Sequence, residues 1–138
     1  MAGALVGAAV IGGAAAGYAA VGQGRTYTYV LQRAGVRFGD PSPKSPAHST
    51  FLASSDCHGG MSYVGTLYDT VKDSYSVKVQ AKVSGYDWGG TVTTSSSTPV
   101  NKCAYDPAAQ YVIYGWVQVC VDRGILPDQC VGTAEMTR

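Results

Sequence analysis

Charge is what this chain has least of. Only 14% of its 138 residues are Asp, Glu, Lys or Arg, and the signs nearly cancel to a formal net charge of +1. A nucleic-acid binder needs a basic surplus gathered on one face, and this balance offers none. With 46% hydrophobic residues the chain is also too apolar to remain disordered. Glu135 is the only glutamate, so the paired carboxylates of a glycoside hydrolase are not expected. "DTVKD" (69–73) and "DRGILPD" (122–128) lack the dense oxygen pattern of a calcium loop and read as turn residues. There is no CxxC pair, and His58 beside Cys57 does not give a zinc spacing, so no metal and no other cofactor is expected. The two histidines, His48 and His58, have no nucleophile or carboxylate at a recognised spacing, and Ser54-Ser55-Asp56 is not a GxSxG elbow. The expectation is a protein that is not an enzyme.

Charge is wholly absent from the side chains of "MAGALVGAAVIGGAAAGYAAVG", because every Lys, Arg, Asp and Glu lies from Arg25 onward. An apolar run followed by small residues near "AAAGYAA" has the anatomy of a secretory signal. Residues 1–20 are therefore read as a cleaved signal peptide, and the mature protein as secreted, extracellular and free of the membrane. The basic leading region of such a signal is missing, which points to a start upstream of Met1. The alternative is a retained apolar helix, since Gly3-xxx-Gly7 and Gly13-xxx-Gly17 have helix-packing spacing. The chain would then be a structural subunit of an extracellular filament. Against membrane insertion, Ala and Gly contribute little to it, and no aromatic belt or basic flank begins the run.

Four cysteines are present, Cys57, Cys103, Cys120 and Cys130, an even number that suits two disulfides in an exported chain. Of three possible connectivities, Cys57–Cys103 with Cys120–Cys130 is favoured, because the second pair closes the short "CVDRGILPDQC" loop.

Residues 21–50 read as an extended basic arm and Pro-rich linker. Arg25, Arg33, Arg37 and Lys44 face a single acid, Asp40, and the prolines of "DPSPKSP" cannot join a sheet interior. "TYTYVLQ" within it has strand composition. Such an arm is either a leader trimmed in use or a docking peptide, with Arg25, Tyr27, Tyr29, Arg33 and Arg37 meeting a partner's groove or sheet edge.

Residues 51–138 read as an all-β domain. "MSYVGTLYD" (61–69) is a strand, and in 74–84 Tyr75, Val77, Val79, Ala81 and Val83 alternate with polar residues, the mark of a half-buried antiparallel strand. "GYDWGG" supplies turn chemistry. "TVTTSSST" is a polar edge strand ended by Pro99. "AQYVIYGWVQVCVD" (109–122) is expected to be a central strand buried on both faces, and "CVGTAEM" a last strand. Five or six strands make a small, incomplete immunoglobulin-like antiparallel sandwich, whose open edge could recruit another chain's strand. Of the ten tyrosines, Tyr75 and Tyr111 are expected in core or cross-strand pairs, while Tyr86, with Trp88, is expected to be an exposed contact.

"GTLYDTVKDSYSVKVQAKV" and "YVIYGWVQVCVDRGILPDQC" together resemble small secreted actinobacterial β-sandwich proteins, among them the adaptor subunit of umbrella toxin particles. The resemblance covers roughly residues 62 to 130. It implies a non-enzymatic adaptor that bridges a lectin-like subunit and the repeat-bearing arm of a large toxin subunit in an antibacterial particle. It further implies that the segment near Arg25–Arg37 engages the lectin-like partner and that the toxin arm is held by strand complementation.

Overall fold

From Thr26 onward the chain repeatedly alternates small polar or aromatic residues with aliphatic ones, and nearly every such run is a strand. The computed structural model describes residues 21–41, 45–108 and 111–138. The segment 1–20, with both expectations about it, lies outside the described residues. In chain order the strands are β1 (Thr26–Tyr29), β2 (Leu31–Arg33), β3 (Val36–Phe38), β4 (Ala47–Thr50), β5 (Met61–Asp69), β6 (Ser76–Val83), β7 (Gly89–Thr94), β8 (Ser97–Ala104), β9 (Tyr114–Asp122), β10 (Gln129–Gly132) and β11 (Met136–Thr137). A single 3-10 turn, Cys57–Gly59, interrupts them. No described helix is long and apolar enough to cross a membrane.

All pairings are antiparallel, and the strands form two sheets. In the first, β5 lies between β8 on one side and β3 and β4, end to end, on the other. β1 and β2 continue outward beyond β4 and β3. In the second sheet, β9 lies between β6 and the pair β10 and β11, and β7 is the outer neighbour of β6. The inward faces meet in one core. Leu31, Phe38, Met61, Tyr63 and Leu67 come from the first sheet and Val77, Val79, Val117, Val119 and Met136 from the second. This is an antiparallel β-sandwich with an immunoglobulin-like two-layer plan, and the strict alternation of buried and half-buried residues along β6 shows why that segment is a strand.

Residues 21–50 are not an arm. β1 and β2 form one edge of the first sheet, turn at Ala34-Gly35, and return as β3 and β4. Gly35 takes a φ of 97°, which the tight reversal requires and a β-carbon would resist. Leu31, Val36, Phe38 and Ala47 are buried in the core, so the hydrophobic effect fixes this hairpin to the domain rather than releasing it. The two ends of the Pro-rich stretch lead from β3 to β4 of the same sheet. Asp40 N–H donates to the Ser45 carbonyl at 2.8 Å, holding those ends together, and residues 42–44 lie outside the described residues. Pro41 and Pro46 stand outside β3 and β4, where they interrupt no ladder.

Other expectations shift in detail. "TVTTSSST" divides into β7, a turn at Ser95-Ser96, and the start of β8, and Pro99 sits inside β8 opposite Thr66 rather than ending a strand. β8 tolerates it because it pairs only with β5 and its other side is an edge. β9 begins at Tyr114 and is central, but its outer face carries half-buried Trp116 and Gln118 rather than a second core. The cysteines pair as Cys57–Cys103 and Cys120–Cys130, with no free cysteine among the described residues. The second bridge joins residues directly opposed across β9 and β10.

Candidate functional site

The register places several connections at one end of the sandwich. Met61 opposes Ala104, Val83 opposes Gly115, and Thr137 opposes Tyr114. The segments 51–60, 84–88, 105–108 and 111–113 therefore share a pole with residues 21–25 and Arg138. Arg138 ties them together. Its guanidinium donates to the carbonyls of Val112, Gly59 and Gly22, and it lies over the rings of Phe51 and Tyr111 at 5.7 and 5.5 Å.

Eight large hydrophobic side chains are exposed among the described residues, and five of them, Tyr86, Tyr105, Tyr111, Ile113 and Tyr114, sit at this pole. The cause is local. Loop positions there carry no inward face, so aromatic residues that would be core in a strand stand outward. Tyrosine-rich loops at one end of a sandwich are the arrangement that binding loops use, because tyrosine offers large area at small entropic cost.

Within the pole lies a cleft of about 230 Å³ between the two sheets. Tyr63 from β5, Ala81 and Val83 from β6, and Gly89 and Gly90 from β7 line it, with Ala104 closing the far side. Tyr86 and Tyr105 form the rim, and Asp87 is the carboxylate that lines it. The side chains are held in place. Tyr63 donates its hydroxyl to the Gly90 carbonyl at 2.6 Å, and Tyr86 donates to Asp106 at 2.8 Å. Tyr105 stacks on His58 with ring centroids 4.6 Å apart. Donation to Asp106 holds the Tyr86 phenol above its ordinary pKa, and burial pushes Tyr63 up to about 12. Both phenols are therefore neutral donors at physiological pH. Gly90 has a φ of 62°, and a β-carbon there would meet the Tyr63 hydroxyl.

The expected contacts divide. Tyr86 is 41% exposed on the rim. Trp88 is half-buried on the outer face of the second sheet, where Lys82 Nζ lies between Trp88 and Trp116, 6.0 and 5.6 Å from their rings. Tyr111, expected in the core, is exposed, because the residues before β9 are loop rather than strand. Tyr75 does pack on the core.

Only Arg25 of the expected arm contacts lies near this pole with an exposed side chain. Tyr27 and Tyr29 pack against the core, and their hydroxyls engage Thr137 and Ser49. Arg33 donates to the Cys130 carbonyl, bridging the two sheets. Arg37 pairs with Asp40 at 3.6 Å and lies over Tyr68 at 4.3 Å. Asp106 and Ile113 carry no motif that marks them as contacts. Only the density of aromatic residues between 105 and 116 hinted at them. No group of three or more potential metal ligands occurs among the described residues. No family model, curated protein or solved structure matches the chain.

Proposed function

We propose that this is a secreted, non-enzymatic adaptor that docks one partner protein through its tyrosine-rich pole and recruits a second through an open strand edge. The clustering of five exposed aromatic and aliphatic side chains on the loops and the β9 start at one pole carries the reading. Two edges favour strand complementation. β7 pairs only with β6, and the run from Thr26 to Gln32 pairs only with β3 and β4. β7 contains neither a charge nor a proline, the usual devices that blunt an edge, and the β1–β2 edge carries a charge only at its end, Arg33, whereas β8 has Pro99 and Lys102.

Two disulfides and the absence of a described membrane-crossing helix are compatible with an extracellular protein. The resemblance over residues 62–130 supports a lectin-like subunit and a toxin arm as the partners. Docking moves from the N-terminal segment to the pole, because residues 26–38 are built into the first sheet.

The test is co-purification of the tagged protein with its partners, followed by mass spectrometry. The triple variant Tyr111→Ser, Ile113→Ser, Tyr114→Ser should keep its melting temperature and lose one partner. The control Ile125→Ser, Leu126→Ser, at the opposite pole, should retain it. If the triple variant still captures every partner, the pole is not a docking surface.

A further inference from the structure

We infer that the cleft at this pole receives the side chain of a partner arginine, a specificity that rests on the adaptor reading and names what the partner presents. Three properties of the cleft lead there.

Its rim carries the exposed rings of Tyr86 and Tyr105, with the buried Tyr63 behind them. The Tyr63 and Tyr86 hydroxyls are committed to Gly90 and Asp106, and Tyr105 is braced by His58. Ring faces attract a cation, because the quadrupole is negative above and below the ring.

Its charge is of one sign. Asp87 lines the cleft, Asp106 sits at the hydroxyl end of Tyr86, and no Lys or Arg is among the lining residues. Lys82 belongs to the other side of β6, held against Trp88 and Trp116. Asp87 is itself oriented, since its Oδ1 accepts the Trp88 N–H at 2.8 Å. A purely apolar occupant would lie against this carboxylate without compensating it.

Its floor is aliphatic. Ala81, Val83 and Ala104 suit the methylene stem of a long cationic side chain, with the charged head at the rim. Arginine fits better than lysine, because a planar guanidinium stacks between aromatic rings and pairs with a carboxylate through two donors.

The experiment titrates the full chain with capped pentapeptides Gly-Ser-X-Ser-Gly, where X is arginine, citrulline, lysine or leucine, followed by amide chemical shifts. The arginine peptide should perturb Tyr86, Asp87, Gly90 and Tyr105, and bind about tenfold more tightly than its neutral isostere citrulline. Raising salt from about 0.05 M to about 0.5 M should weaken it. Asp87→Asn keeps an oxygen for the Trp88 amide, so it should fold normally and weaken arginine binding about tenfold. Ala104→Leu, which fills the cleft without touching charge, should abolish binding. Equal or tighter binding of the leucine or citrulline peptide overturns the inference, as does an Asp87→Asn protein with unchanged affinity. If no peptide binds while the Tyr111, Ile113, Tyr114 triple variant still loses a partner, the arginine inference fails and the adaptor reading stands. If arginine binds but no partner depends on the pole, the adaptor reading is the one that fails.

Discussion

Tyr27 and Thr137 exchange two hydrogen bonds across 110 residues of chain. The Tyr27 hydroxyl donates to the Thr137 carbonyl at 2.7 Å and accepts the Thr137 N–H at 3.0 Å. The contact to Thr137 lowers the pKa of the Tyr27 phenol, with the accepted hydrogen bond favouring the phenolate. It joins β1 of the first sheet to β11 of the second, so the earliest and latest strands close the sandwich together.

Deleting residues 23–38 therefore removes β1, β2 and β3 and the buried side chains Leu31, Val36 and Phe38. A docking arm could be cut away from a folded domain, but this segment cannot. Circular dichroism of the truncated protein should show no cooperative unfolding transition. A truncated protein that melts like the full chain would restore the arm.

Tyr63 is fully buried and its hydroxyl donates to Gly90. Tyr63→Phe leaves that carbonyl without its partner and should cost about 1–2 kcal/mol by urea unfolding. The pH dependence has a definite sign. The folded-state pKa is raised from 10.0 to about 12, so below pH 10 both states keep the proton and the contribution is complete. Between about 10 and 12 the unfolded chain ionises first, and stability falls. Burial raises Tyr29 as well, adding to the same decline. The fall should be shallower in Tyr63→Phe.

Gly90→Ala should be more damaging than an ordinary edge-strand substitution. It places a side chain at a φ of 62° and directs its β-carbon at the Tyr63 hydroxyl. Left-handed backbone alone costs a non-glycine residue about 1–2 kcal/mol, and the displaced tyrosine adds to it. Thermal unfolding measures the total, and the double variant with Tyr63→Phe should recover part of it. Equal melting temperatures for Gly90→Ala and the parent would refute the close approach.

The two disulfides should differ in worth. Cys57 and Cys103 are 46 residues apart and Cys120 and Cys130 are 10 apart. Chain-entropy reasoning gives about 4 kcal/mol for the longer loop and about 3 kcal/mol for the shorter. Paired Cys→Ala variants compared by denaturant unfolding test the order. The Cys57, Cys103 variant should also loosen the cleft, because Cys103 lines it.

Much of the sandwich could be read from period-two patterns. The run 61–69 coincides with β5, and the inward residues of 74–84 are the buried face of β6. The N-terminal hairpin was hidden by its prolines. "DPSPKSP" reads as a linker because proline cannot donate to a ladder, yet Asp40 and Ser45 within it pair with each other and lead to two strands of one sheet. Pro99 misled for a related reason, since only the pairing reveals that β8 is an edge. Tyr111 was misplaced because its apolar neighbours suggested strand, while the chain enters β9 only at Tyr114.

Composition and alternation by themselves determined that this chain is all-β and bridged by disulfides, because those properties depend on residue types and local spacing. The tertiary structure alone decided which residues share a place. Tyr63, Tyr86 and Tyr105 come from β5, the β6–β7 turn and the segment after β8, and no spacing rule links them. Only the closing of one sheet over the other brings their rings to a single cleft, with Asp87 lining it.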